Sequence, residues 1–344
     1  MTVVKRTLIV SVLLFSATTF AQDNKVLNLY SSRHYQTDAA LYANFTRQTG
    51  IKVNRIEAGE DALIERIRNE GERSPADVLV TVDAGRLWRA EQLGFFQPVK
   101  STVLDARIPA NYREPGGHWF GFSLRARVIA YNKVKVKAAE VSSYESLADP
   151  KWKGRVCMRS AQHPYNVALV ASMIATHGEV KAETWLSGLK ANLARKPAGG
   201  DREAVRDVNS GLCDLAIGNT YYMGAMETNQ KAPEQQLWAA SVKVLFPNAA
   251  DRGTHVNISG AALAANAPNR EQGIKLIEYL ASGAAQQIYA EVNFEYPVVR
   301  DVAASARVQT WGALKADPRP IAEIAQWRRK ASELIDRVHF DQGS

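Results

Sequence analysis

The side chains best placed for chemistry in this chain are phenols that recur where strands give way to helices. His34-Tyr35 follows the β-prone run Val26 to Tyr30 and precedes a helix. Tyr165 follows Pro164 in the first turn of another helix, one loop beyond a strand-like run around Val156 to Met158. Tyr221-Tyr222 follows a strand ending near Ile217 and opens a third helix. In open α/β sheets, ligands gather beyond the carboxyl ends of strands, where helix N-termini offer free N–H groups and partial positive charge. The three segments are therefore expected to face one cleft. A phenol ordinarily ionises near about 10. A trivalent cation favours the charged form, and a helix N-terminus adds a smaller term. The resulting phenolate is a hard oxygen donor suited to Fe3+. Adjacent residues on a helix diverge by about 100°, but at a helix start Tyr221 and Tyr222 can still converge. Taken singly, each of these residues is more often a packed side chain than a ligand.

The elements that must position these groups alternate along the chain. After the first strand, a helix starts at Thr37 or Asp38, either a good N-cap, and stops at Gly50. Strands at Ile51–Ile56 and Ala76–Val82 alternate with helices at Ala62–Asn69 and Gly85–Leu93. That rhythm predicts a mainly parallel sheet with helices on both faces. Trp119 to Tyr131 is one long β-prone stretch in which Arg125 and Arg127 alternate with apolar neighbours. Further strands are read at Gly154–Met158, Leu212–Ile217, Val242–Phe246 and Ser259–Ala265. Helices are read at Pro164–His177, from Tyr221, at Gly273–Ala281 and at Ala322–Val338, with Pro tolerated in a first turn. The order fits two α/β lobes joined by extended crossovers near Phe122–Tyr131 and Val242–Ala265.

Lys5 and Arg6, the apolar Thr7 to Phe15 and Thr19-Phe20-Ala21 form the three parts of a secretory signal, cleaved near Ala21. The apolar part is too short to span a bilayer comfortably. The remainder exceeds the usual size of one domain. A formal charge of +8 is spread among acids rather than clustered, which argues against a nucleic-acid partner. Cys157 and Cys213 are the only cysteines; in an exported chain an even count suits one disulfide. No H-E-x-x-H, G-x-S-x-G, P-loop, G-x-G-x-x-G or C-x-x-C occurs, and the dispersed Cys and His give zinc little support.

Tyr30-Ser31-Ser32-Arg33-His34-Tyr35, Glu60-Asp61-Ala62-Leu63-Ile64, Ser74-Pro75-Ala76-Asp77-Val78 and Thr81-Val82-Asp83-Ala84-Gly85-Arg86-Leu87 belong together with Asp149-Pro150-Lys151-Trp152-Lys153-Gly154, His163-Pro164-Tyr165-Asn166 and Gly218-Asn219-Thr220-Tyr221-Tyr222. This set resembles the ferric-ion-binding proteins of bacterial ABC importers over nearly the whole mature chain. Asp-Pro-Lys-Trp-Lys-Gly occurs in many solute binders; Gly-Asn-Thr-Tyr-Tyr with the upstream His-Tyr is the more specific signal.

The resemblance implies an α/β fold of the type II periplasmic binding-protein class, two lobes closing over ligand by hinge motion. The lobes would be residues 22–122 plus about 246–298, and 123–245 plus about 299–344. It carries metal ligation onto His34, Tyr35, Tyr165, Tyr221 and Tyr222, with carbonate as an anion that some members recruit. It also implies periplasmic residence, a monomer, no catalysis, and delivery to an inner-membrane ABC permease and its ATPase. Four phenolates around Fe3+ leave about one negative charge, which calls for a partner when partly buried. Arg33 and Arg125 are the candidates, by neutralising the shell or gripping an anion with forked donors. Asn166 and Asn219 are candidates to orient ligands. A Cys157–Cys213 bridge would clamp the two loops that supply three of the tyrosines. The competing readings are a binding protein for a small anion, a phosphonate or organic acid held by Arg33, Arg125 and helix N-termini, and an exported enzyme.

Overall fold

The computed structural model describes residues 25–33, 35 and 37–343. The leader read at residues 1–21 and the candidate ligand His34 lie outside the described residues.

Among the described residues nine strands form the frame: β1 (Val26–Ser31), β2 (Lys52–Glu57), β3 (Val78–Thr81), β4 (Phe120–Asn132), β5 (Val156–Cys157), β6 (Leu215–Asn219), β7 (Val242–Leu245), β8 (Val256–Leu263) and β9 (Tyr296–Pro297). Their main path runs β2-β1-β3-β8-β4-β6-β5, with β7 and β9 added onto β4. β1 lies parallel to β2 and β3, as the opening β/α rhythm predicts. The sheet as a whole is mixed rather than mainly parallel. β8 runs antiparallel to β3 and β4, and β4 runs antiparallel to β6, β7 and β9. The reason is the crossovers: a strand that leaves one half and returns through a neighbour needs no helical connection to reverse direction.

β4 is the element that joins the halves. Phe120 to Ala126 pair with β8, whereas Arg127 to Tyr131 pair with β6. The partner therefore changes between Ala126 and Arg127. On one side of this change lies a core that includes Leu27, Phe45, Leu79, Phe122, Leu263 and Leu276. On the other, strand alternation sends Ile129 and Ile217 to one core and Ala130 and Ala216 to another on the opposite sheet face. Each fully buried Leu, Ile or Phe in these cores contributes about 1.5–3 kcal/mol relative to exposure.

The Pro164–His177 helix has the bounds expected from its apolar spacing and early proline. Two strands are displaced from their expected positions. β6 starts at Leu215, because Leu212 and Cys213 belong to the turn that follows the Asp201–Asn209 helix. β8 starts at Val256 and stops at Leu263. The single helix expected over 322–338 is two, Ile321–Gln326 and Arg328–Arg337, broken at Trp327. Ile321, Ala322 and Ala325 of the former touch the first core while Ile324 touches the second, so this helix rests against both halves. Among the described residues no helix is long and apolar enough to cross a membrane.

Candidate metal centre

Each tyrosine is delivered by the start of a helix. Tyr35 lies two positions before the first residue of the Thr37–Thr49 helix, and its carbonyl accepts from Asp38 N at 3.0 Å. Tyr165 is the second residue of the Pro164–His177 helix, whose N-cap His163 accepts from Tyr165 N at 3.3 Å. Tyr221 and Tyr222 occupy the second and third positions of the Thr220–Glu227 helix. The phenol oxygens converge as the sequence predicts. Tyr35 Oη lies 3.2 Å from Tyr221 Oη, which lies 3.1 Å from Tyr165 Oη. Tyr222 completes the group, its ring 4.3 Å from that of Tyr221 and tilted by 36°. The two halves thus meet at one string of phenol oxygens.

Burial raises the Tyr221 phenol well above its ordinary value, and the neighbouring Tyr35, Tyr165 and Tyr222 add to the rise. Tyr35 is likewise raised well above its ordinary value, first by burial and then by Tyr165, against the opposing pull of Arg125 and Arg33. Burial also raises Tyr222, with Asp201 adding to it. Without a cation these groups are neutral phenols sharing protons. Four hard donors crowded in front of positive guanidinium groups are an arrangement whose protons one small, highly charged cation would displace.

Arg33 and Arg125 are both fully buried behind this cluster, so neither is a surface arginine. The Arg33 guanidinium carbon sits 4.7 Å from the centre of the Tyr35 ring, and that of Arg125 5.8 Å from the Tyr221 ring. Between them stands Glu295, bonded to Arg33 Nη2 at 3.2 Å and to Arg125 Nη2. Asp38 takes Arg33 Nε at 3.1 Å, and Ser259 Oγ accepts from both arginines. Burial alone would raise the Glu295 carboxyl; Arg33 and Arg125 outweigh it and hold the group down at about 2. Two cations and two anions therefore form a closed cluster under the tyrosines.

A second cluster organises the other half. Arg127 donates to Asn166 Oδ1 from Nε at 3.1 Å and to Asn219 Oδ1 from Nη1 at 3.1 Å, and Nη1 also meets Asp201 Oδ2 at 2.5 Å. Asn166 follows Tyr165, and Asn219 is the N-cap position of the Tyr221–Tyr222 helix. Asn219 N donates to Asp201 at 2.9 Å. Both asparagines thus tie their helix starts to one buried ion pair. Arg159 stands 5.7 Å from the Tyr165 ring centre and Arg202 5.2 Å from that of Tyr222. Glu295, Asp38, Asp201, Arg127, Arg159 and Arg202 were not among the expected site residues. Only the alternation of Arg125 with Arg127 in an apolar strand pointed toward them.

Cys157 and Cys213 are joined in a disulfide with a Cα–Cα distance of 6.0 Å. The bridge links the end of β5 to the turn entering β6, the two approaches to Tyr165 and Tyr221. Away from the tyrosines, Glu91, Glu114 and His118 bring ligand atoms within 4.8 Å of one another, with His118 Nδ1 already bonded to Glu114 at 3.0 Å.

The bacterial extracellular solute-binding protein model matches residues 73–315. Iron uptake protein A1 of Synechocystis is 49% identical over 316 residues, covering 92% of this chain and 88% of that protein. Among solved structures, the Trichodesmium protein IdiA (FutA), in complex with iron and citrate ligands, superposes with a TM-score of 0.88 at 49% identity, covering 92% of this chain and 99% of that one. The Bordetella ferric binding protein gives a TM-score of 0.85 at 48% identity over 92% of this chain and 99% of that chain. The fold is that of the type II periplasmic binding proteins, as the motifs implied. The chain belongs to the bacterial extracellular solute-binding proteins, where its relatives are the iron uptake and ferric-iron-binding proteins.

Proposed function

We propose that the chain captures Fe3+ in the periplasm through tyrosine phenolates and delivers it to an inner-membrane ABC permease driven by its ATPase. The observation that carries this reading is the string of Tyr35, Tyr221 and Tyr165 oxygens at 3.2 and 3.1 Å, with Tyr222 packed beside it. In this reading Tyr35, Tyr165, Tyr221 and Tyr222 bind the ion, and His34 is the adjacent fifth donor. The protein turns nothing over and works as a monomer. Two lobes, 22–122 with about 246–298 and 123–245 with about 299–344, close over the ion by bending β4 and β8 where β4 changes partner.

Arg33 and Arg125 offset the charge of the phenolate shell from behind. Their donors are largely spent on Asp38, Glu295, Ser259 and the Val82 carbonyl, which weighs against the small-anion reading. A synergistic carbonate would enter as a further ligand on the ion rather than on these arginines. Addition of ferric nitrilotriacetate tests the proposal: the protein should turn orange-red through phenolate-to-iron charge transfer. A protein that stays colourless and binds an organic anion contradicts it.

A further inference from the structure

The Gly283–Asn293 helix ends on a residue that a helix end rarely uses. Phe294 is its C-cap, with φ 55° and ψ 30°. A bulky side chain in the left-handed region is uncommon, and such an outlier points toward a role. The conformation does two things at once. It turns the next residue, Glu295, inward between Arg33 and Arg125, with Asn293 Nδ2 donating to Glu295 Oε2 at 2.7 Å. It also lays the Phe294 ring against Gly224 in the Thr220–Glu227 helix, one turn beyond Tyr221. A Cβ at Gly224 would lie 2.5 Å from Phe294 Cγ and 2.9 Å from its Cβ. The nearest atoms belong to the root of the side chain, so the ring cannot swing aside cheaply.

The two surfaces in this contact belong to different cores. Ala285 and Tyr289 of the Gly283–Asn293 helix pack with the core that includes Leu27, whereas Met223 and Met226, flanking Gly224, pack with Ala204 and Cys213. We infer that Phe294 and Gly224 form a closure latch, through which the lobe carrying Tyr35 seats the helix carrying Tyr221 and Tyr222 when the cleft is shut. The inference rests on the iron-binding reading for its ligand and on the hinge for its motion. Phe294 has no donor atom to offer a cation; it is a positioning residue. Gly224 has ordinary helical geometry, so its missing side chain serves the contact and not the backbone.

Gly224→Ala tests the latch, because alanine suits a helix interior better than glycine while its methyl collides with Phe294 only in the closed arrangement. The probe is ferric nitrilotriacetate, with closure followed by small-angle X-ray scattering. Gly224→Ala should remain folded without ligand, stay more open with iron, and bind iron about 10- to 100-fold more weakly. Adding Phe294→Gly, which suits a positive φ, should return the double variant to the affinity of Phe294→Gly alone. A Gly224→Ala protein that closes and binds like the parent overturns the latch, as does a double variant no better than Gly224→Ala. Should Gly224→Ala fail to fold, Phe294→Gly alone decides: iron loss to excess EDTA several-fold faster than from the parent supports the latch, and an unchanged rate overturns it. A parent that takes up no iron sinks the iron reading, not the latch. The scattering of the unliganded proteins then decides, with Gly224→Ala more open than the parent if the latch exists.

Discussion

Arg125 and Arg127 stand two residues apart on β4, yet each is anchored to a different half of the molecule. Arg125 bonds to Glu295, Ser259 and the Val82 carbonyl. Arg127 bonds to Asn166, Asp201 and Asn219. The strand changes partner between them. Bending at Ala126 would therefore carry each buried ion cluster, with its attached tyrosines, as a unit. The proposed closure would then bring two prearranged half-sites together instead of assembling a site from loose side chains.

Iron uptake should release protons. Tyr35, Tyr221 and Tyr222 are all raised above the ordinary phenol value, so near neutral pH each carries its proton until a cation displaces it. Each proton lost makes the apparent affinity fall about tenfold per pH unit of acidification. Calorimetry in buffers of different ionisation enthalpy should therefore count several protons released per ion, with affinity falling from pH 8 to pH 6. An affinity flat across that range would contradict phenolate ligation.

Glu295→Gln should destabilise the protein by about 3–5 kcal/mol, since it leaves Arg125 buried without a carboxylate partner and Arg33 with Asp38 alone. The sign with pH follows from a carboxyl held at about 2, below its ordinary value. Its stabilisation is complete above about pH 4.3 and is lost as pH falls through about 2. Urea unfolding of parent and variant should show a gap that narrows with acid over that window. A gap that stays constant or widens with acid would assign the cluster a different role.

Removing the bridge with Cys157→Ser and Cys213→Ser should cost about 4 kcal/mol by loop-closure entropy for a separation of 56 residues. Thermal unfolding measures this, and a thiol titration of the unreduced, denatured parent should find no free thiol. Two free thiols would remove the clamp from the account.

Much of this architecture is written locally. The first three strands, the proline-led helix at Tyr165 and the placement of every tyrosine at a helix start follow from short-range pattern. The antiparallel crossovers do not, because β4 and β8 are separated by more than a hundred residues and only tertiary pairing sets their direction. Glu295 was illegible for the same reason: its partners Arg33 and Arg125 lie 262 and 170 residues away. Asp201 reads as an ordinary first-turn acid of a helix, and nothing local tells that it faces Arg127. The two-helix ending was misread because the apolar positions continue through Trp327 while the backbone does not. Phe294 carries no signal at all, since a left-handed phenylalanine cannot be inferred from composition or spacing.

The most direct measurement is a visible-absorbance titration with ferric nitrilotriacetate of the parent beside a Tyr221→Phe, Tyr222→Phe variant. The account predicts a charge-transfer band in the parent that saturates at one iron per chain, and a variant that loses most of that colour and binds at least tenfold more weakly. A colourless parent, or a variant that colours and binds as the parent does, would contradict it.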